Sequence, residues 1–508
     1  MKYIKILIPF LLIYSFLLLL FIPVGMISDE GAHAMDSFFY YSFFRDFFLN
    51  PEDLFNVKDY VFKFYVRYPA LYITYYSPLF GLLTSGLFHV FGVTQLTARL
   101  TSMFFSIASL IMIYFLGMEL YDERTGFLSV LVLALAPFFF IFSTQIMQEV
   151  PLLFFVLFST LLFYKGVEKD KKYFYYFGIV FGLGMMMKYM IIVLIVPLLF
   201  YLYYRKKFTK NLSTILKAGL IGFTIFLPYL LVLVFFGGFE IIGYWLSEKA
   251  RVECPVCPSS PLTPLYFYPY ILGFEIFPLV VLIPFFYFIW KRPTKKEDVF
   301  LILIIISYFT IFLLLPMKTS KYIIPTLPFF SLLFVHCVKR SKTWITIILI
   351  VVLIQLSICL FNPPYYIIGY EHSLKENLEN IGDYLNENNV ENGNVFLFPG
   401  LWHSGIIFNF AKSNNFENFV FRWRPCTFQN MTVEDFEKYI EDKNIYLIVA
   451  YPENPDFEPF RGWLDEHFER DIVGNSSIYI NPSKEFKPLE VVCEYNCKTK
   501  KSICYDFR

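Results

Sequence analysis

The sequence has little charge. Asp, Glu, Lys and Arg make up 17% of its 508 residues, while 57% are hydrophobic. That balance excludes a single soluble domain and points to a polytopic membrane protein. The formal net charge is +1, so nothing points to nucleic acid. There is no G-x-G-x-x-G and no Walker sequence, so no nucleotide site is expected. No internal repeat is evident. The first apolar run lacks an A-x-A cleavage site, and it reads as a retained helix rather than a signal peptide.

Aromatic residues are abundant, at 21%, mainly Phe and Tyr. Tyr suits both membrane interfaces, with its ring in lipid and its hydroxyl in water. Apolar runs of spanning length fall at 4–27, 98–118, 126–146, 151–164, 173–187, 190–204, 218–237, 271–290, 299–315, 325–338 and 344–361, about eleven spans in all. Four basic clusters set their orientation: Lys165/Lys169/Lys171/Lys172, Arg205/Lys206/Lys207/Lys210, Lys291/Arg292/Lys295/Lys296 and Lys339/Arg340/Lys342. With that count all four clusters and the N-terminus share one side, the cytoplasmic one by the positive-inside trend. The loop after the first span and everything after Phe361 then lie outside. Ala70 to Phe91 is also apolar, but Pro78, Gly81, Gly86 and His89 interrupt it. It is read as helices lying in or dipping into the outer interface, within a first outer loop of 28–97.

From about Asn362 the chain turns polar. Apolar spacing predicts helices over 373–389, 432–444 and 460–469, and strands over 394–400, 445–452 and 476–481. Thr432 with Asp435 makes a weak capping-box pattern. The expected architecture is a polytopic α-helical membrane domain, 1–361, followed by an extracytoplasmic α/β domain, 362–508, in the plasma membrane. Of eight cysteines, Cys254, Cys257, Cys426, Cys493, Cys497 and Cys504 fall outside. Disulfides are permitted there, and a zinc site is the competing reading of the CxxC and CxxxC spacings. Cys337 and Cys359 read as packing residues.

Four groups stand out chemically, all at or just below the outer face. Asp29-Glu30 directly follows the first span, with His33 and Asp36 about a helical turn on. Adjacent carboxylates there are costly unless water, a cation or a reacting group occupies them. Glu149 lies between the third and fourth spans. Lys188 interrupts an apolar stretch and must snorkel or pair. Lys318 and Lys321 sit outside, against the positive-inside trend, which hints at an anionic partner. Each also has a plain reading, as interface charges, a first-turn acid, a snorkelling lysine and ordinary loop lysines. Together they supply a base for an attacking hydroxyl and cations for a departing phosphate.

The order of motifs is "YYSPLFGLL" (75–83), "ARL" (98–100), "LYDERTGFLSVLVLALAPFF" (120–139), "QIMQEVPLLFF" (145–155), "GLGMMMKYMIIVLIVP" (182–197) and "SKYIIPTLP" (320–328). With Asp29-Glu30 in front, this order resembles the GT-C membrane glycosyltransferases, in particular the protein O-mannosyltransferase and aminoarabinose-transferase branch. The resemblance implies a GT-C fold, with Asp29 as base, Glu149 as a second acid in the outer cavity and Lys188 approaching the donor lipid phosphate. Gly31-Ala32-His33 departs from the aromatic or basic residues usual after the acidic pair, and Glu149 stands where Asp is common. The Trp-Trp-Asp-Tyr-Gly stretch of oligosaccharyltransferases is absent, which argues against en bloc transfer to asparagine.

The resulting expectation is an inverting glycosyltransferase that moves a sugar from a polyprenyl (dolichyl) phosphate to an acceptor hydroxyl on the outer face, a chemistry of the protein O-mannosylation kind. Asp29, Glu30 and Glu149 would be catalytic. Lys188, Arg99, Lys318 and Lys321 would bind the donor phosphate, and His33, Tyr75, Tyr76 and Tyr322 would line the substrate cavity. The acceptor would be a protein, lipid or glycan of the cell envelope, and membrane lipid surrounds the site. A divalent cation is compatible with the carboxylates, although no compact ligand spacing is present. The rival reading is a transporter or lipid flippase, which Lys188 and the tyrosines also fit. The lack of inverted repeats or paired broken helices weighs against it.

Overall fold

The structure, a computed structural model, describes residues 3–23, 25–26, 28–49, 56–237, 295–314, 320–338, 342–361, 394–398, 403–413, 419–422, 431–450, 457–473, 476–481, 491–496 and 501–506, with single residues at 268, 381, 384 and 489. The expected span at 271–290, the body of the expected helix 373–389, Lys318, and Cys254, Cys257, Cys426 and Cys497 lie outside the described residues. By contacts the chain divides into two compact units. One holds 1–23, 73–80 and 99–369; the other holds 24–72, 81–98 and 370–508. Most of the predicted first outer loop therefore clusters with the C-terminal residues.

The first unit is helical. It contains α1 (Ile4–Leu20), then, beyond the short loop helices given below, α5 (Gln95–Leu120), α6 (Glu123–Leu135), α7 (Pro137–Thr144), α8 (Glu149–Glu168), α9 (Lys172–Met187), α10 (Ile195–Tyr204), α11 (Phe208–Gly237), α12 (Lys296–Leu314), α13 (Leu327–Val338) and α14 (Lys342–Phe361). Among the described residues, five helical stretches are long and apolar enough to cross a membrane: Gln95–Leu120, Glu149–Glu168, Phe208–Phe236, Lys296–Leu314 and Lys321–Val338. The expected single span over 126–146 is instead a bent pair, α6 and α7, at 67°. Pro137 causes the break. The residue before a proline is pushed out of the helical region, and Ala136 is extended at φ −64°, ψ 120°. Pro137 then restarts the helix at a position that needs no backbone donor. Helices α9 and α11 approach closely because both are glycine-bearing at the crossing: a Cβ at Gly182 would lie 2.7 Å from the Gly222 carbonyl oxygen.

The two ends of α8 are polar. Its last residue, Glu168, accepts from Arg205 at 2.9 and 3.1 Å and from Lys296 at 2.9 Å, with Lys207 at 3.4 Å. Lys169 reaches Glu119 at 2.6 Å, and Tyr121 donates to Asp298 at 2.6 Å. Members of three of the four basic clusters thus meet at one end of the helices. Glu149 opens the other end, about 29 Å away by helix rise.

In the second unit α2 (Ser28–Leu49), α3 (Val57–Arg67) and α4 (Leu79–Phe91) precede the C-terminal residues. With 13 residues α4 rises about 20 Å, too little to cross a bilayer alone. The C-terminal strands are β1 (Asn394–Leu397), β2 (Val420–Arg422), β3 (Ile445–Ala450), β4 (Glu469–Val473), β5 (Ser476–Ile480), β6 (Val491–Asn496) and β7 (Lys501–Asp506). Five form a mixed sheet in the order β2-β1-β3-β5-β4. Strand β1 runs parallel to β2 and β3, and β5 runs antiparallel to β3 and β4. Helices α15 (His403–Ser413), α16 (Val433–Asp442) and α17 (Glu458–His467) connect the strands. The expected capping box is present: the Thr432 hydroxyl accepts the Asp435 N–H, and the Asp435 carboxylate accepts the Thr432 N–H. The helix expected to reach 469 ends at His467, and charged Glu469, Arg470 and Asp471 form an exposed edge strand instead, a composition that discourages further pairing.

The core of this unit is aromatic. Phe396, Phe398, Phe436, Phe457, Phe460 and Tyr479 are buried together, and Val66 of α3 joins them. Replacing Phe436 by Ala should cost about 3–5 kcal/mol. Trp463, 5.9 Å from the Phe436 ring, reports it: the fluorescence-detected denaturation midpoint of the full chain should fall clearly below wild type.

Candidate active site

Helix α9 stops at Met187 because Lys188 is extended, at φ −161°, ψ 117°, and a 3-10 turn, Tyr189–Leu194, follows before α10. The break carries the Lys188 side chain to Glu149 in the first turn of α8, with Nζ to Oε1 at 2.6 Å. The side chains are 13% and 3% exposed. A carboxylate this deeply buried requires a cation or hydrogen-bond donors, and Lys188, read from the sequence as having to snorkel or pair, supplies the cation.

The segment before Glu149 is braced from two directions within the same unit. Arg99, fully buried, donates Nη1 to the Thr144 carbonyl at 2.9 Å. Ser102 donates to the Met147 carbonyl at 3.1 Å, and Gln148 donates Nε2 to the Ser77 carbonyl at 3.0 Å. Arg99 therefore sits behind the Glu149 turn, bonded to its backbone.

Tyrosines gather nearby. The Tyr75 and Tyr76 rings meet edge-on at 4.9 Å, and Tyr229 donates to the Tyr76 carbonyl at 3.0 Å. Tyr189, beside Lys188 in sequence, lies within electrostatic range of Tyr322, Tyr75 and Tyr229. Tyr322 is buried, stacks on Phe312 at 5.5 Å, and belongs to the 3-10 turn Ser320–Thr326, which packs against α8. Lys321 is half-buried in that turn. The structure thus groups Glu149, Lys188, Tyr75, Tyr76 and Tyr322, and adds Tyr189 and Tyr229, which the sequence reading missed. Adjacency to Lys188 was a usable signal for Tyr189. Nothing local marked Tyr229.

Asp29, Glu30 and His33 belong to the second unit. Both carboxylates stand in the first turn of α2, where the helix dipole favours negative charge. Asp29 is half-buried; Glu30 and His33 are buried. Asp36, also buried, accepts the Tyr72 N–H at 2.7 Å and so ties α2 to the chain beyond α3. Burial holds the Asp36 carboxyl well above the usual carboxylate range, opposed by that hydrogen bond. Among the described residues no group of three or more His, Cys, Asp or Glu is disposed to hold a metal ion.

Lys188→Met removes the cation from a buried carboxylate and should destabilise the helical unit by about 3–5 kcal/mol, whereas Lys188→Met with Glu149→Leu should recover most of the loss; thermal unfolding in detergent measures both. For Asp36, the unfolded chain ionises near pH 3.9 and the folded chain only at higher pH. Between those values only the unfolded state has released its proton, so stability falls as pH rises through that window. Asp36→Asn keeps the acceptor for Tyr72, should flatten this slope, and should melt no lower than wild type at pH 7.

A family model described as dolichyl-phosphate-mannose-protein mannosyltransferase matches residues 76–232, which include Arg99, Glu149 and Lys188. Among curated proteins no sequence matches. Among solved structures, the chain is similar to ArnT from Cupriavidus metallidurans in the apo state, with a TM-score of 0.70 at 12% identity over 96% of this chain and 99% of that one. The same protein bound to undecaprenyl phosphate gives a TM-score of 0.67 at 12% identity, with the same coverage. The family match covers under a third of the chain, and the two ArnT structures, at 12% identity, show a shared fold.

Proposed function

We propose that the protein transfers a sugar from a polyprenyl phosphate to an acceptor hydroxyl, with inversion at the anomeric carbon. The observation that carries this reading is the buried Lys188–Glu149 pair at a helix break, inside the segment matched by a mannosyltransferase family. A lipid-linked anionic donor suits an ammonium held at the end of membrane-length helices. The ArnT structure with undecaprenyl phosphate is consistent with such a donor.

In this mechanism Asp29 removes the acceptor proton. The acceptor oxygen attacks the anomeric carbon on the face opposite the phosphate, and the carbon–oxygen bond to phosphate breaks. The leaving phosphate takes the bonding pair, and Lys188 stabilises its charge, joined by Lys318 and Lys321. Glu149 keeps Lys188 charged and aimed. Arg99 holds the Thr144–Gln148 turn in place, a positioning role rather than direct contact with the donor. Glu30 and His33 shape the acceptor side, and Tyr75, Tyr76, Tyr189 and Tyr322 present rings and hydroxyls to the sugar. The reaction faces the outer side, and the C-terminal α/β domain serves acceptor recognition or assembly.

The test is transfer from radiolabelled polyprenyl-phosphate hexose by purified protein in lipid, with membrane extract as acceptor. Wild type should transfer, and correctly inserted Asp29→Asn should lose at least about a hundredfold in rate. Full activity in that variant would refute the assignment, and tight lipid binding without turnover for any donor would favour a flippase. The proposed sidedness has its own check in a glycosylating membrane system: Asn430 and Asn475 should be modified, and Asn211 should not.

A further inference from the structure

Helix α15 lies along α2. Phe408 of α15 meets the Phe38 ring edge-on at 6.4 Å and the Phe88 ring at 6.2 Å. Asn409, buried, accepts from Gln95 Nε2 at 3.2 Å. One contact differs in kind, because it joins backbone to backbone. A Cβ on Gly405 would lie 2.5 Å from the Met26 carbonyl oxygen and 3.3 Å from its carbon. Met26 is 1% exposed and stands two residues before α2 begins at Ser28. Gly25, at φ +71°, turns the chain into this contact, a conformation only glycine adopts without strain.

We infer that Gly405 is a positioning residue for the Asp29–Glu30 pair: it lets α15 of the C-terminal region seat against the Met26 carbonyl and thereby fixes the first turn of α2. The inference rests on Asp29 being the base. Carbon and carbonyl oxygen rest at about 3.3 Å or more, so any side chain at 405 must drive the two backbones apart by about 0.8 Å. No flexible side chain is available to absorb that shift, because the obstacle is a carbonyl. A displacement near 1 Å at a reacting group costs up to about a hundredfold in rate. The C-terminal region therefore serves the reaction through α15, beyond any contact with the acceptor.

The test combines amide exchange and kinetics on the full chain in lipid. Gly405→Ala should speed exchange in the segment 26–33 and lower kcat roughly ten- to a hundredfold, with donor KM changed less than about twofold, because the donor phosphate is held elsewhere. Phe408→Leu, which loosens the same packing without a clash, should shift both readouts in the same direction by less. Gly462→Ala in α17, where nothing lies within 4 Å of the added carbon, should match wild type in both. Unchanged exchange at 26–33 in Gly405→Ala would overturn the contact, and faster exchange with unchanged kcat would overturn the positioning role. Absence of turnover by wild type with any donor would instead overturn the functional reading, and the exchange arm would still decide the contact.

Discussion

The helical unit depends on one ion pair. Glu149 is nearly sealed from solvent, and Lys188 leaves its helix to meet it as a counter-charge. The break in α9 is thus forced by chemistry rather than by a helix-breaking residue: no glycine or proline stands at 187–189. The surrounding hydrogen bonds from Arg99, Ser102 and Gln148 are directed at the backbone that carries Glu149. A buried pair adds little net stability, so so much bracing argues that the pair is kept for its charge geometry. At the opposite end of α8, Glu168 gathers three cations that are partly exposed. The same helix therefore links a dry, paired site to a wet ionic cluster.

The second unit has its own task, that of holding the acidic residues of α2 in place. Helix α2 is fastened at Asp36 by the Tyr72 N–H and at Phe38 by ring contacts to Phe64 of α3 and Phe408 of α15. The aromatic excess of the sequence finds its use here and in the core around Phe436. Rings bury large areas with few rotamers to fix, so a small sheet domain gains order cheaply from them.

Much of this was legible in the sequence because the signals were local. The apolar runs, the need of Lys188 to snorkel or pair, the Thr432–Asp435 cap and the strands at 394, 445 and 476 all announce themselves within a few residues. The bend at Pro137 was visible too, but a continuous apolar run masked it. Helix α2 was less clear: "SFFYYSFFRDFF" (37–48) is aromatic on every face, so no 3.6-residue period emerges. Strands β2 and β4 are short, and β4 is exposed along nearly all its length, with Ile472 exposed like its three charged residues, so pairing rather than pattern defines them. The Glu149–Lys188 contact spans 39 positions, and Tyr229 and Gly405 matter only through distant partners. Long-range contacts of that kind leave no trace in local spacing.

On the proposed reading Lys188, held by Glu149, is the ammonium that receives a lipid phosphate. Native mass spectrometry in lipid discs measures this directly, by comparing undecaprenyl phosphate with undecaprenol on wild type and on the Lys188→Met, Glu149→Leu double variant. The account predicts that wild type prefers the phosphate by at least about tenfold and that the double variant, still folded, loses that preference. Equal preference in both proteins would contradict it.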